Sequence, residues 1–319
     1  MGTIFPTLLI FYFIGTLFDT LAWQMLLRPS GRSLPFLRLL LIHIAGESYY
    51  RFLPAGVVVG ESVKVFMVKK YSLLTTPEII SSLMMRKFLM GIAQALYIGL
   101  AVMSGIVLYS NGINGTLASI GLALSVVLLF LFGMMGYFFA KGELGKALFS
   151  ALIRIPVPCV KLFLQKNRMS FLDTDSVIKE SIIRYRRESI IAGILFLLGW
   201  STELIETLAI LLSVNAFVTF GSVMVFEPIV SFLRSVVFFI PAGLGIIELG
   251  YYSSLQTVST VGTVAAAFIL IKRAKEVFWI VIGVCITAFL GKTRNDKMIF
   301  HFSSAIIPDF ASASNTVNK

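Results

Sequence analysis

Glu203 and Glu206 stand three residues apart inside the apolar run 189–214, a spacing that puts both carboxylates on one face of a helix. Other charges also interrupt apolar stretches: Asp19; then Glu47, Arg51, Glu61 and Lys64; then Glu227, Arg234 and Glu248; and lastly Lys272, Arg273, Lys275 and Glu276. An ionised side chain at the centre of a bilayer costs about 2.5–3.5 kcal/mol even on the lenient insertion scale, so these groups must face a protein interior or a wet cavity and find partners there. The chemistry available is anion binding. A guanidinium presents a planar fork that makes two parallel charge-assisted hydrogen bonds to a phosphate. Arg234, Arg273 and Lys64 are the candidate cations, with Arg51 beside them. Glu61, Glu248 and Glu206 would balance charge or gate through protonation, and Glu203 is a further candidate at the site. The competing reading is a set of ion pairs that lock helices together, and which group pairs with which is not legible in the sequence.

The backbone around two of these groups carries a repeated motif. Phe52 to Glu61 and Phe239 to Glu248 both read Phe-x-Pro-Ala-Gly-x-x-x-x-Glu. Proline removes a backbone donor and glycine weakens a helix. Pro54 and Gly56 in the first copy, and Pro241, Gly243 and Gly245 around the second, are therefore expected to break the helix. Freed backbone groups survive in a bilayer only where protein or a water-filled cavity satisfies them. Paired broken segments in corresponding halves point to a transporter's central site. The alternative is that Pro-Ala-Gly ends a helix at the interface and the glutamate sits among headgroups. Tyr49, Tyr50, Tyr251 and Tyr252 flank the breaks as interfacial anchors or cavity lining.

The elements that must position these residues are membrane helices. Hydrophobic residues make up 57% of the 319-residue chain and charged residues 13%, and mean hydropathy is +0.91. A soluble surface needs roughly 25% charge, so a soluble enzyme, a nucleic-acid-binding protein and a disordered chain are excluded. Apolar runs near the roughly 20 residues needed to span are 4–27, 88–110, 116–140, 189–214, 207–233 and 249–271, with a shorter one at 277–291. The fourth and fifth overlap, and Asn215 is the expected turn between them. The cluster 272–276 reads as a charged interruption or as a short surface loop. Run 4–27 has no basic residue before it and no cleavage site after it, so it reads as a retained helix. Gly91, Ala95 and Gly99 form a small-residue stripe for close helix packing.

The excess of 27 basic over 16 acidic residues follows the positive-inside rule. Stretch 141–187 alone carries ten Lys/Arg against four acids. It is expected to lie on the cytoplasmic face as short amphipathic helices, or else as a solvated loop. The expected arrangement is an all-α polytopic bundle with two broken or re-entrant segments and pseudo-symmetric halves. One transmembrane domain spans 1–297, and a disordered tail covers 298–319. The N-terminus is expected outside and the C-terminus in the cytoplasm. Cys159 and Cys285 lie far apart, and His43 and His301 are the only histidines, so neither a disulfide framework nor a metal site is indicated. No nucleophile elbow, phosphate-binding loop or zinc-protease motif occurs. Neither enzymatic activity nor a cofactor is expected.

The chain resembles the transmembrane domain of lysylphosphatidylglycerol synthases, a flippase-like family, and within it the hopanoid-biosynthesis-associated membrane proteins. The resemblance rests on Gly46-Glu47, Leu53-Pro54 and Gly60-Glu61 with Lys64. It continues in Leu233-Arg234-Ser235, Phe238, Pro241, Gly243, Gly245 and Glu248, and ends in Lys272-Arg273-Ala274 with Glu276. The first motif departs from the pattern in having a single Gly before its Glu, and Lys64 stands where Arg is usual. The resemblance implies a protein of a bacterial or archaeal inner membrane that moves or presents a lipid between leaflets. An anionic phospholipid and an isoprenoid or hopanoid lipid are the implied cargoes. In the synthases a soluble aminoacyl-transferase domain follows. Here only residues 292–319 follow the last apolar run, so lipid aminoacylation is not expected. Two alternatives stand beside this expectation: a non-transporting accessory subunit docking a lipid-biosynthetic enzyme through 141–187, and an ion-coupled carrier of small solutes. Membrane lipids are the expected partners, nucleic acid is not, and a second copy of the chain is a further candidate.

Overall fold

Long apolar runs close their own backbone hydrogen bonds as helices, the one open-chain solution that lipid tolerates. A computed structural model describes residues 4–27, 34–53, 56–108, 115–141, 185–237, 240–257 and 262–292. Among them lie nine α-helices and no strand. Five are long: α1 (Ile4–Leu27), α4 (Thr76–Leu108), α5 (Gly115–Lys141), α6 (Arg186–Ser213) and α9 (Gly262–Lys292). Those on α1, α4, α5 and α6 are long and apolar enough to cross a membrane. The shorter helices are α2 (Phe36–Phe52), α3 (Gly56–Tyr71), α7 (Phe220–Val236) and α8 (Ile246–Thr257). They hold 17, 16, 17 and 12 residues, fewer than the roughly 20 a full crossing requires. The chain is therefore an all-α polytopic integral membrane protein.

Both motif copies fall at breaks. α2 ends at Phe52 and α3 begins at Gly56; Pro54 itself lies outside the described residues. The two helices then pack face to face. A Cβ on Gly60 would collide with the Gly46 carbonyl oxygen, so both glycines are needed for this approach. In the second copy α7 stops at Val236, and Pro241–Gly243 forms one 3-10 turn before α8. Ala242, Gly243 and Gly245 have φ of 52°, 60° and 85°, a left-handed region that glycine enters freely and alanine does not.

The halves are related by inverted pseudo-symmetry. Pro54 and Pro241 are 187 residues apart, and the same offset pairs Gly15 with Thr202. Those two residues touch: a Cβ on Gly15 would lie 2.8 Å from Thr202 Oγ1. Ala22 and Leu26 pack in one cluster with Ala192 and Phe196, so α1 and its counterpart α6 run antiparallel. The flanking contacts repeat. Ser48 on α2 donates to the Trp279 carbonyl on α9, while its counterpart Ser235 on α7 meets Gln94 on α4. Inverted halves about a shared interface are a recurrent plan of membrane transporters.

Several expectations change. The run expected at 88–110 is the second part of α4, which begins at Thr76, so Arg86 and Lys87 lie inside a helix rather than before one. The crossing expected at 249–271 is divided between α8 and α9. Residues 272–276 form neither an interruption nor a surface loop: α9 runs unbroken through them, and Lys272 and Lys275 are buried. The turn at Asn215 is present, with φ 54°, but α7 starts only at Phe220. The Gly91–Gly99 stripe packs on α5, where Ser125 donates to the Ala95 carbonyl at 2.8 Å. Most of stretch 141–187 and the tail 298–319 lie outside the described residues.

Candidate functional site

The inward charges sort into two ionic clusters, one per half. In the first, the α2–α3 packing at Gly46 and Gly60 brings Lys64 onto Glu47 at 2.7 Å and onto Glu61 at 3.2 Å. Arg86 on α4 reaches Asp19 on α1 at 3.2 Å, Glu47 at 3.5 Å and Glu61 at 3.6 Å. Lys87 adds a 2.9 Å contact to Glu61. Lys64 and Arg86 are wholly buried. Three cations here face three carboxylates, and His43 approaches Asp19 at 3.7 Å.

In the second cluster Arg234 on α7 is ion-paired with Glu203 on α6 and donates to the Tyr251 hydroxyl at 3.1 Å. Glu47–Lys64 and Arg234–Tyr251 occupy equivalent positions at the 187-residue offset, so one bridge recurs with different chemistry. Tyr251 donates to Glu227 at 2.9 Å, and Lys272 reaches the same carboxylate oxygen at 2.9 Å. Lys275 pairs with Glu206. Glu203 also accepts from Ser231 at 2.9 Å.

The second break is held by its own motif residues. Arg273 Nη1 donates to the Ala242 carbonyl at 2.8 Å, while its Nε meets Glu248 at 2.7 Å. Glu248 in turn accepts from the Gly245 amide at 2.8 Å. These are the backbone groups that the 3-10 turn frees, and an unsatisfied one costs several kcal/mol in hydrocarbon. Arg273 and Glu248 therefore satisfy the break. Arg273 also pairs with Glu276, which meets Arg51 of α2 at 3.5 Å. That chain of pairs ties the end of α2 to the second turn.

Between the clusters lies a cavity of about 150 Å³. Its charged lining is Asp19, Glu47, Glu203 and Glu206 against Arg51, Lys87, Arg234 and Lys275, with His43 beside them. Tyr12, Tyr50, Phe196 and Trp200 supply aromatic surface, and Gly15 and Gly199 leave room where α1 crosses α6. The Tyr12 ring takes Arg51 and Lys275 at 5.3 and 5.2 Å from its centroid, a cation–π arrangement.

Of the residues expected from the sequence, Arg234, Glu203, Glu206 and Arg51 come together around this cavity. Lys64 and Glu61 stand outside its lining, in the first cluster. Arg273 and Glu248 stand outside it at the second break, so the three cations expected to act together are in three different places. Arg86 and Lys87 were not among the expected site residues. The apolar pattern Ile79, Ile80, Leu83, Met84 and Met85 ahead of them is the signal that places them within a helix. Among the described residues no group of His, Cys, Asp and Glu could hold a metal ion.

No curated protein and no solved structure matches the chain. The family model described as the lysylphosphatidylglycerol synthase TM region does match, over residues 3–285. Both breaks, both ionic clusters and the cavity fall within that range, and the chain belongs to the lysylphosphatidylglycerol synthase transmembrane-region family.

Proposed function

We propose that this protein moves or presents a lipid between the leaflets of a bacterial or archaeal inner membrane, acting as a flippase-like transporter rather than an enzyme. The observation that carries the reading is the charged cavity at the junction of the two inverted halves. Ion pairs that merely lock helices would close the space between their partners. Here space remains, walled by eight acidic and basic side chains besides His43, within an apolar bundle. Such a chamber takes a polar headgroup while the tails stay in hydrocarbon. The family supports a lipid-related role, and inverted halves with broken helices support alternating exposure of one site. The motifs suggest a phospholipid or an isoprenoid or hopanoid lipid as the cargo. The N-terminus outside and the C-terminus in the cytoplasm fit the distribution of basic residues.

The test is reconstitution into vesicles with acyl-labelled fluorescent lipids and a membrane-impermeant quencher. Leaflet exchange should accelerate with protein and fall back in Arg234→Ala. Exchange equal to that of protein-free vesicles would refute transport. Exchange undiminished in the variant would refute the cavity as its route.

A further inference from the structure

A bound headgroup must be matched to the charges that receive it. The cavity offers four carboxylates and four cations, so its formal charge is zero. Lys275 is held by Glu206, and Arg234 gives Nη1 to Glu203 and Nη2 to the Tyr251 hydroxyl, leaving only its buried Nε without a partner. An anionic headgroup arriving alone and taking the Nη1–Nη2 fork would have to displace a carboxylate from Arg234. It would leave that carboxylate unpaired, with the cavity one charge out of balance in a medium where an uncompensated charge is costly.

We infer that the site is built for a zwitterionic lipid headgroup, a phosphate joined to a primary ammonium, that enters by exchanging partners with the internal ion pairs. The inference rests on the reading of this cavity as the headgroup site. The phosphate takes the guanidinium of Arg234 in place of Glu203, in the bidentate geometry that arginine favours. The ammonium, a few bonds away in the same headgroup, takes the carboxylate of Glu203 that has just been vacated. Every ion pair broken is replaced by one of the same sign pattern. The cavity is neutral before and after, so no proton or counter-ion need accompany the lipid. Glu206 and Lys275 form a second pair able to exchange in the same way.

The full-length chain is reconstituted into vesicles holding equimolar phosphatidylethanolamine and phosphatidylglycerol with identical acyl chains. Lipid retained after gentle extraction is quantified by mass spectrometry, and leaflet exchange of acyl-labelled versions of each is followed separately. Retention and exchange of phosphatidylethanolamine should exceed those of phosphatidylglycerol by at least about tenfold, since one uncompensated charge is penalised by more than the roughly 1.4 kcal/mol that factor represents. Glu203→Gln gives the cavity one net positive charge while keeping an acceptor for Arg234, and should turn the ratio toward phosphatidylglycerol. Glu206→Gln should do the same from the other pair, which separates a charge effect from damage at one position. Preference for phosphatidylglycerol in the wild type, or a ratio that neither variant moves, overturns the inference and leaves transport standing. Selective retention of phosphatidylethanolamine without any leaflet exchange does the reverse: it upholds the headgroup assignment and defeats transport. Soluble glycerophosphorylethanolamine, a phosphodiester with the same net charge as the lipid headgroup, titrated into the detergent-purified protein, should bind more weakly than the lipid. Equal or tighter binding overturns the assignment to a membrane lipid.

Discussion

Replacing Arg86 with methionine should destabilise the protein more than any surface change, because one wholly buried guanidinium serves three carboxylates. Its contacts to Asp19, Glu47 and Glu61 span 3.2, 3.5 and 3.6 Å. At an effective dielectric near 20 each is worth roughly 5 kcal/mol before the cost of desolvation. The net loss on breaking a buried network by removing one partner is smaller, about 3–5 kcal/mol: the guanidinium's own desolvation cost is recovered, while the carboxylates left uncompensated keep the loss large. In Arg86→Met the first cluster holds two cations against three carboxylates. Charge balance returns if the nearest carboxylate is neutralised too, so Arg86→Met with Asp19→Asn should recover more than half of the loss. Arg86→Lys keeps the charge but not the fork and should fall between wild type and Arg86→Met. Reversible unfolding in mixed micelles, followed through tryptophan fluorescence with buried Trp23 as reporter, measures all four proteins. Arg86→Met within about 0.5 kcal/mol of wild type, or a double variant no better than the single, would show that the network does not balance charge as described.

Three other outcomes follow from particular contacts. Gly283→Leu should loosen the molecule by a few kcal/mol, because a Cβ there would run into Ser48 and lie 2.7 Å from the Ile44 carbonyl, forcing α2 and α9 apart. Gly133→Ala, with nothing within 4 Å of the new atom, should instead gain up to about 1 kcal/mol; thermal unfolding of the two side by side would contradict the packing if their order reversed. Arg273→Met should raise amide hydrogen exchange across residues 240–248, since the Ala242 carbonyl loses its donor and Glu248 its partner. Unchanged protection there would mean that Arg273 does not hold the turn. Cysteines at Gly15 and Thr202, in a Cys159→Ser, Cys285→Ser background with a protease site inserted in 142–184, should form a disulfide across the α1–α6 contact. After cleavage the two fragments should then separate only under reduction, and separation without reductant would sink the inverted arrangement.

Much of this arrangement was legible in the amino-acid order. Charges in apolar runs marked the chain as one that buries ions, and two copies of Pro-Ala-Gly with a trailing glutamate located both breaks. Spacing alone put Glu203 and Glu206 on one face. The pairings were not legible, because Arg51–Glu276 joins residues 225 apart and no local rule selects that partner. Residues 272–276 misled for the opposite reason. Insertion arithmetic treats each charge as alone, whereas Glu227, Glu206, Glu248 and Glu276 neutralise this turn of α9 and let it continue. Arg273 and Glu248 were expected to meet a ligand. A freed carbonyl and a freed amide close at hand claimed them first, and motif chemistry cannot tell these two uses of one side chain apart.

The meeting of Gly15 with its own counterpart Thr202 places the pseudo-twofold axis on the α1–α6 crossing. Were the proposed transport to exchange the postures of the two halves, the same architecture would serve both shapes. The exchange would be lopsided, because the bridge that is lysine–carboxylate on one side is arginine–tyrosine on the other. Each posture would then set an ionic bridge against a weaker, partly neutral one, and exchanging Lys64 for tyrosine, or Tyr251 for lysine, would tilt the balance between them.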